Sequence, residues 1–300
     1  MSYLEHFEFA REPFSNAPDA RFYFDSEQHL QAQRRLRFAV DSNKGLAVVV
    51  GGIGTGKTTL ARRMLDQLGE DRYQSSLLIM VHSGVTPEWL LSHIALQMGV
   101  ASPAADRLVI LRQLYERLLE IDAQGRRAVI LIDEAQMLQT RELMEEFRGL
   151  LNLEIPGRKL LNILFFGLPE LEDNLRLDPP LAQRVAVRCQ ITPFTAQNTA
   201  TYIWHRLQVA GGRRMVFDDD AIAAVHQYSR GVPRLINTLC DNCLFDAALL
   251  DRKQIDEQIV IQAAQALDLS GDDSAPLDDV DLDRGLEQIE SMLDRLEMKL

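Results

Sequence analysis

Short apolar runs recur through the first two thirds of the chain, separated by longer stretches in which apolar residues return every three or four positions. The runs are Leu46–Val50, Leu77–Val81, Ala128–Asp133 and Leu161–Phe166, each of strand length and rich in branched aliphatic side chains. The helical period occupies 28–41, 57–68, 87–98, 105–121 and 140–152. Alternation of this kind predicts an α/β fold, a parallel sheet with helices on both faces. Gln190–Pro193 is a candidate last strand. Beyond Pro193 the strand signal stops. Residues 196–210, 219–229, 233–250 and 256–267 all carry the helical period, so a small all-helical domain is expected over 194–267.

The pattern changes again at residue 268. DLSGDDSAPLDDVD, residues 268–281, is acidic and carries Gly, Ser and Pro, which reads as a linker. Over 282–300, Leu282, Leu286, Ile289, Leu293, Leu296 and Leu300 repeat at alternating spacings of four and three, an amphipathic heptad helix. It spans under three heptads. It reads either as a tethered helix for a partner or for self-association, or as a terminal helix docked on its own domain.

Composition narrows the class. Apolar residues make up 46% and charged residues 25%, ordinary for a globular chain. The longest apolar run, LLNILFFGL at 160–168, falls far short of the roughly 18 residues that span a bilayer. The first residues have neither a basic start nor an apolar core, so no signal peptide is expected and the setting is read as cytoplasmic. Net charge is −12, most of it concentrated after residue 267. An acidic balance argues against a general nucleic-acid binder. Arg34, Arg35 and Arg37 share one helical stretch and read as a solvated face. Cys240 and Cys243 lie in an apolar helical pattern, with no second pair to complete a metal site, and read as packing residues. The six histidines are scattered without metal-ligand spacing.

The chemistry concentrates at two strand ends. Gly51-x-x-x-x-Gly56-Lys57-Thr58 follows an apolar strand and opens a helix, the sequence and context of a P-loop. Gly51, Gly52, Ile53, Gly54, Thr55, Gly56, Lys57, Thr58 and Thr59 are therefore expected to hold the phosphates of ATP. Backbone N–H groups and the helix N-terminus supply the positive end. Lys57 should reach the β- and γ-phosphates, and Thr58 should coordinate Mg²⁺. AVILIDEAQ, residues 128–136, ends a buried strand in two carboxylates. Asp133 can share the Mg²⁺, and Glu134 can polarise the attacking water. Phosphoryl transfer also needs positive charge on its transition state. Arg184, after DPPLAQ, and Arg234, in SRGVPRLIN, are candidates, although either could serve as a surface ion-pair residue. Residues 1–193 are thus read as a nucleotide-binding domain preceded by an aromatic-rich segment.

These features together resemble an AAA+ ATPase with a helical lid. A narrower resemblance rests on "FEFAREPFSNAPDARFYFDSEQHLQAQRRL", "LIDEAQML", "LLNLE", "FFGLPEL", "LAQRVAVRCQITPF", "YIWHRLQVAG" and "GVPRLINTLCDNCLFDA". It points to the general secretion pathway protein A (ExeA-like) and MSHA-type pilus biogenesis ATPases, related to TniB/TnsC-type transposition ATPases, over residues 1 to about 267. It implies a nucleotide-dependent oligomer with ATP at subunit boundaries. By the same likeness Arg184 matches the arginine finger, with Arg188 as runner-up, and Arg234 matches the sensor-2 arginine. Pro13 and Phe14 would lie near the adenine.

Two departures stand out. Where that group tends to read Gly-Gln-Pro-Glu-Leu, this chain has Gly167-Leu168-Pro169-Glu170-Leu171. Leu168, at the expected sensor-1 position, has no polar group to offer a γ-phosphate. Secretion-pathway members also continue into a membrane span and a peptidoglycan-binding domain, whereas 268–300 reads as tether and heptad helix. A cell-wall role is therefore not carried over. The expected function is a cytoplasmic ATPase that drives or switches assembly of an envelope machine (secretion system, pilus or polysaccharide exporter). It would contact a protein partner through 282–300 and the membrane only indirectly. The alternatives are a DNA-associated transposition-type regulator and a nucleotide-gated scaffold with little turnover.

Overall fold

The structure, a computed structural model, describes residues 2–17 and 19–269. Its sheet is built from β1 (Leu46–Gly51), β2 (Tyr73–Ile79), β3 (Arg127–Asp133), β6 (Leu161–Gly167) and β7 (Val185–Ile191). A two-residue hairpin, β4 (Glu154–Ile155) and β5 (Arg158–Lys159), stands apart. The sheet order is β2-β3-β6-β1-β7 and every pairing is parallel. Because side chains alternate across a strand, two cores form. Val48, Ile130, Ile132, Ile163 and Phe165 point to one face. There they meet α4 (Pro87–Gln97), α5 (Arg107–Ala123) and α6 (Arg141–Leu150). Ala47, Val49, Val129, Leu131, Leu164 and Phe166 point to the other, against α2 (Glu27–Asp41) and α3 (Lys57–Gln67). The expected α/β architecture, with helices on both faces, is present.

Two strands differ from the apolar runs that announced them. The second begins at Tyr73, not Leu77, and stops at Ile79, not Val81. Gln74, Ser75 and Ser76 pair in register with Ala128, Val129 and Ile130. An edge strand needs ladder partners on one side only, so polar positions are tolerated there and no apolar run marks them. The last strand is Val185–Ile191 and not Gln190–Pro193. Val187, Cys189 and Ile191 face inward while Ala186, Arg188 and Gln190 are exposed. That is a period of two, and a search for continuous apolar residues passes over it.

After two short helices, α7 (Leu171–Arg176) and α8 (Pro179–Ala182), and β7, the chain turns wholly helical. The helices are α9 (Ala196–Val209), α10 (Asp219–Ser229), α11 (Pro233–Leu249) and α12 (Glu257–Ala266), within a few residues of the periodicity reading. Three of the starts are set by caps: Thr195, Asp218 and Asp256 each accept a backbone N–H three residues on, from Asn198, Ala221 and Ile259, while α11 opens on Pro233. Cys240 and Cys243 are fully buried in this core. The N-terminal aromatics share it. Phe7, Phe9, Phe14 and Phe22 pack with Ile203, Leu207 and Phe217, joining the start of the chain to the helical unit. The acidic linker from residue 270 on and the heptad stripe 282–300 lie outside the described residues.

Candidate active site

β1 delivers the P-loop to the carboxyl end of the sheet, and Gly56, in the left-handed region, caps α3. Thr55 is buried and its hydroxyl donates to the Gly52 carbonyl at 2.8 Å. Lys57 Nζ donates to the same carbonyl at 2.9 Å, so the turn is cross-braced from two side chains. Lys57 is only 7% exposed. Burial pushes its pKa down, and the negative charges of Glu134, Asp133 and Glu170 oppose that shift. Gly54 must be glycine on two counts. Its φ is +73°, and a Cβ there would stand 2.8 Å from the Arg234 Cβ.

Two strands along, β3 ends at Asp133, which is 1% exposed. Neither carboxylate oxygen completes a hydrogen bond. Burial raises its pKa; the neighbouring Thr58 hydroxyl pulls the other way and the Glu134 charge adds to the rise. A buried acid without partners is costly unless something positive shares its pocket. Thr58 and Asp133 present a hydroxyl and a carboxylate, the hard oxygen donors that suit Mg²⁺. Among the described residues no group of three or more His, Cys, Asp or Glu side chains could hold a metal ion. Phosphate oxygens and waters would complete an octahedral shell, as is usual for Mg²⁺.

Glu134 follows in a left-handed conformation, φ 53° and ψ 37°. Its carboxylate accepts from Gln136 Nε2 at 2.7 Å. The helical unit closes on the turn from the other side: the Arg234 backbone N–H donates to the Gly54 carbonyl at 3.3 Å, at the first turn of α11. The guanidinium of Arg234 is exposed there. The structure thus brings together the P-loop, Asp133, Glu134 and Arg234.

Other expected residues stand elsewhere. Arg184, just past α8, donates to the Arg148 carbonyl at 3.0 Å and to Asn152 Oδ1 at 2.7 Å. Arg188 lies on the exposed side of β7, ion-paired with Glu172. Phe14 is 1% exposed inside the helical core, edge-on to Phe217, so its ring is occupied by packing. The Pro13 carbonyl accepts from Arg206 Nε at 2.6 Å. Two side chains beside the P-loop and Glu134 escaped the sequence reading. His29 is buried beneath the turn: its Nδ1 meets the Ser26 hydroxyl at 2.6 Å, and its Nε2 lies 3.1 Å from where a Gly56 Cβ would be. Gln136 is the other. The signals were present, as a serine cap three residues before a histidine and a polar residue just beyond the acidic pair, but neither pattern is specific.

A glycine-rich turn comes from one strand end, a buried acid from another, and an arginine from a separate helical unit leaning on the turn. That division between sheet and lid is the plan of the AAA+ ATPases, and the AAA domain family matches residues 40–175. The chain carries an AAA domain over those residues. It is 35% identical to General secretion pathway protein A of Aeromonas hydrophila over 248 residues. The match takes in 82% of this chain but 45% of that protein, so the chain spans less than half the length of this relative. Among solved structures, Cdc6p of Pyrobaculum aerophilum superposes with a TM-score of 0.64 at 18% identity, over 85% of this chain and 70% of that one. The ADP form of the Aeropyrum pernix ORC2 protein gives 0.63 at 17%, over 85% and 72%. At these identities the likeness is one of fold.

Proposed function

We propose that the chain binds ATP with Mg²⁺ at residues 51–59 and hydrolyses it, and that the cycle drives or switches assembly of an envelope machine from the cytoplasmic side. The observation that carries the catalytic part is the unpartnered, buried Asp133 carboxylate beside Thr58 and Lys57. Thr58 and Asp133 hold the metal, which when bound withdraws charge from the phosphates. Lys57 binds the β- and γ-phosphates, and Glu134 polarises the attacking water. Arg234 follows the nucleotide from the lid. Arg184, or Arg188 in its place, serves a neighbouring subunit in a nucleotide-dependent oligomer. The similarity to a general secretion pathway protein supports the envelope setting. No helix among the described residues is long and apolar enough to cross a membrane. In this reading recruitment runs through a protein partner, with residues 282–300 as the contact.

Leu168 favours a second reading, a nucleotide-gated switch with slow turnover, because its side chain cannot hydrogen-bond a γ-phosphate. One pair of variants separates the readings. Lys57→Ala should abolish ATP binding, and Glu134→Gln should keep binding and stop phosphate release. Equal turnover in wild type and Glu134→Gln would refute the role given to Glu134. Wild-type turnover no higher than the protein-free background, with tight ATP binding, would favour the switch.

A further inference from the structure

Gln136 occupies the turn that follows the acidic pair and is 6% exposed. Its side-chain amide bridges two strand ends. Nε2 donates to Glu134 Oε2 at 2.7 Å, and Oε1 accepts from the Leu168 backbone N–H at 3.0 Å. Its own main-chain carbonyl accepts from Asn174 Nδ2 at 2.7 Å, which pins the turn to α7. The orientation is determined by chemistry. A flipped amide would set oxygen against carboxylate and NH₂ against N–H, losing both bonds at once. Gly167 makes room for the bridge: a Cβ there would lie 3.0 Å from Gln136 Oε1 and 3.2 Å from its backbone nitrogen.

We propose that Gln136 is a positioning residue for ATP hydrolysis, clamping the Glu134 carboxylate and coupling it to the end of β6 at Leu168. The proposal rests on Glu134 being the group that polarises water. A carboxylate on a left-handed residue at a strand tip has several rotamers open to it, and a charge-assisted bond from a buried amide selects one. It also gives position 168 a use that its apolar side chain cannot: the backbone N–H carries the connection. A shift of the 167–168 segment then reaches Glu134 through one side chain of fixed length.

The test uses the full chain, with phosphate release for turnover and a non-hydrolysable ATP analogue for affinity. Gln136→Met keeps length and volume but removes both bonds. Gln136→Glu keeps an acceptor for Leu168 and removes the donor to Glu134. Each should lower kcat by roughly ten- to a hundredfold, the range for losing a hydrogen bond to a charged group. Analogue affinity should stay within about twofold, because the amide's hydrogen bonds go to Glu134 and Leu168 and not to residues 51–59. Combined with Glu134→Gln, Gln136→Met should cost nothing further, since both act through one carboxylate. Wild-type kcat in either folded variant, a parallel fall in affinity, or additive losses would overturn the proposal while leaving Glu134 in its role. Wild-type turnover in Glu134→Gln alone would overturn both.

Discussion

Asp133 and His29 show what burial does to single groups near the P-loop. Asp133 completes no hydrogen bond, whereas His29 has a partner that suits its neutral form. Burial lowers the His29 pKa from 6.5, opposed by the Thr55 backbone and the charge of Asp25. The folded state therefore takes up this proton less readily than the unfolded chain does. Below pH 6.5 the unfolded chain gains a proton that the folded state resists, so stability is lost as pH falls through that value and levels off below the folded pKa. At neutral pH the penalty is absent. In urea titrations from pH 7.5 to 5, wild type should lose more stability than His29→Gln, which has no group to titrate there. Identical pH slopes would remove His29 from this account.

At the scale of elements, α9 binds the N-terminal segment through one buried cation. Arg206 is 6% exposed and donates to the Pro13 carbonyl at 2.6 Å, to Tyr202 Oη at 2.9 Å and to the Ser15 carbonyl at 2.8 Å. Its guanidinium also lies 4.6 Å from the Phe22 ring centroid. A planar fork is needed to reach donors' partners in three directions while stacking on a ring. Arg206→Lys keeps charge but not the fork, and Arg206→Ala leaves two carbonyls short of a donor. We expect losses of about 2–4 kcal/mol for the alanine variant and a smaller loss for lysine, read from chemical denaturation. A change under about 0.5 kcal/mol would show that α1 (Tyr3–Phe7) and the aromatic contacts hold the segment without it. The same view explains Phe14. Its ring is spent in the packing that Arg206 anchors.

The whole molecule has two cores on a sheet and a third in the helical unit, and the nucleotide turn sits where the lid meets the sheet. Gly54 against Arg234 joins the two: the Arg234 N–H donates to the Gly54 carbonyl at 3.3 Å. Nucleotide bound at residues 51–59 would therefore bear on the angle of the lid. The chain beyond residue 269 lies outside the described residues. Removing 270–300 should leave ATP affinity and thermal stability unchanged while weakening self-association or partner capture. Loss of ATP binding on truncation would mean instead that the segment completes the site; unaltered assembly in sedimentation would end the tether reading.

Local rules were enough for much of this. A strand, four glycines, a lysine and three threonines set the geometry of the strand–turn–helix at residues 46–59 because backbone conformation and one charge at fixed spacing do the work, and that geometry was legible in the sequence. The carboxylates after Ile132 and the capped helices of the lid were legible for the same reason, since caps and periodicity act within a few residues. What the order of residues alone did not disclose came from neighbours distant in the chain. Edge positions let β2 carry serines and β7 alternate, so pairing and not apolarity defined those strands. Phe14 met Phe217, His29 met Gly56, and Gln136 met Leu168 only when the sheet and lid assembled. Hydrogen bonds and burial depend on which groups share a pocket, and only the tertiary structure decides that.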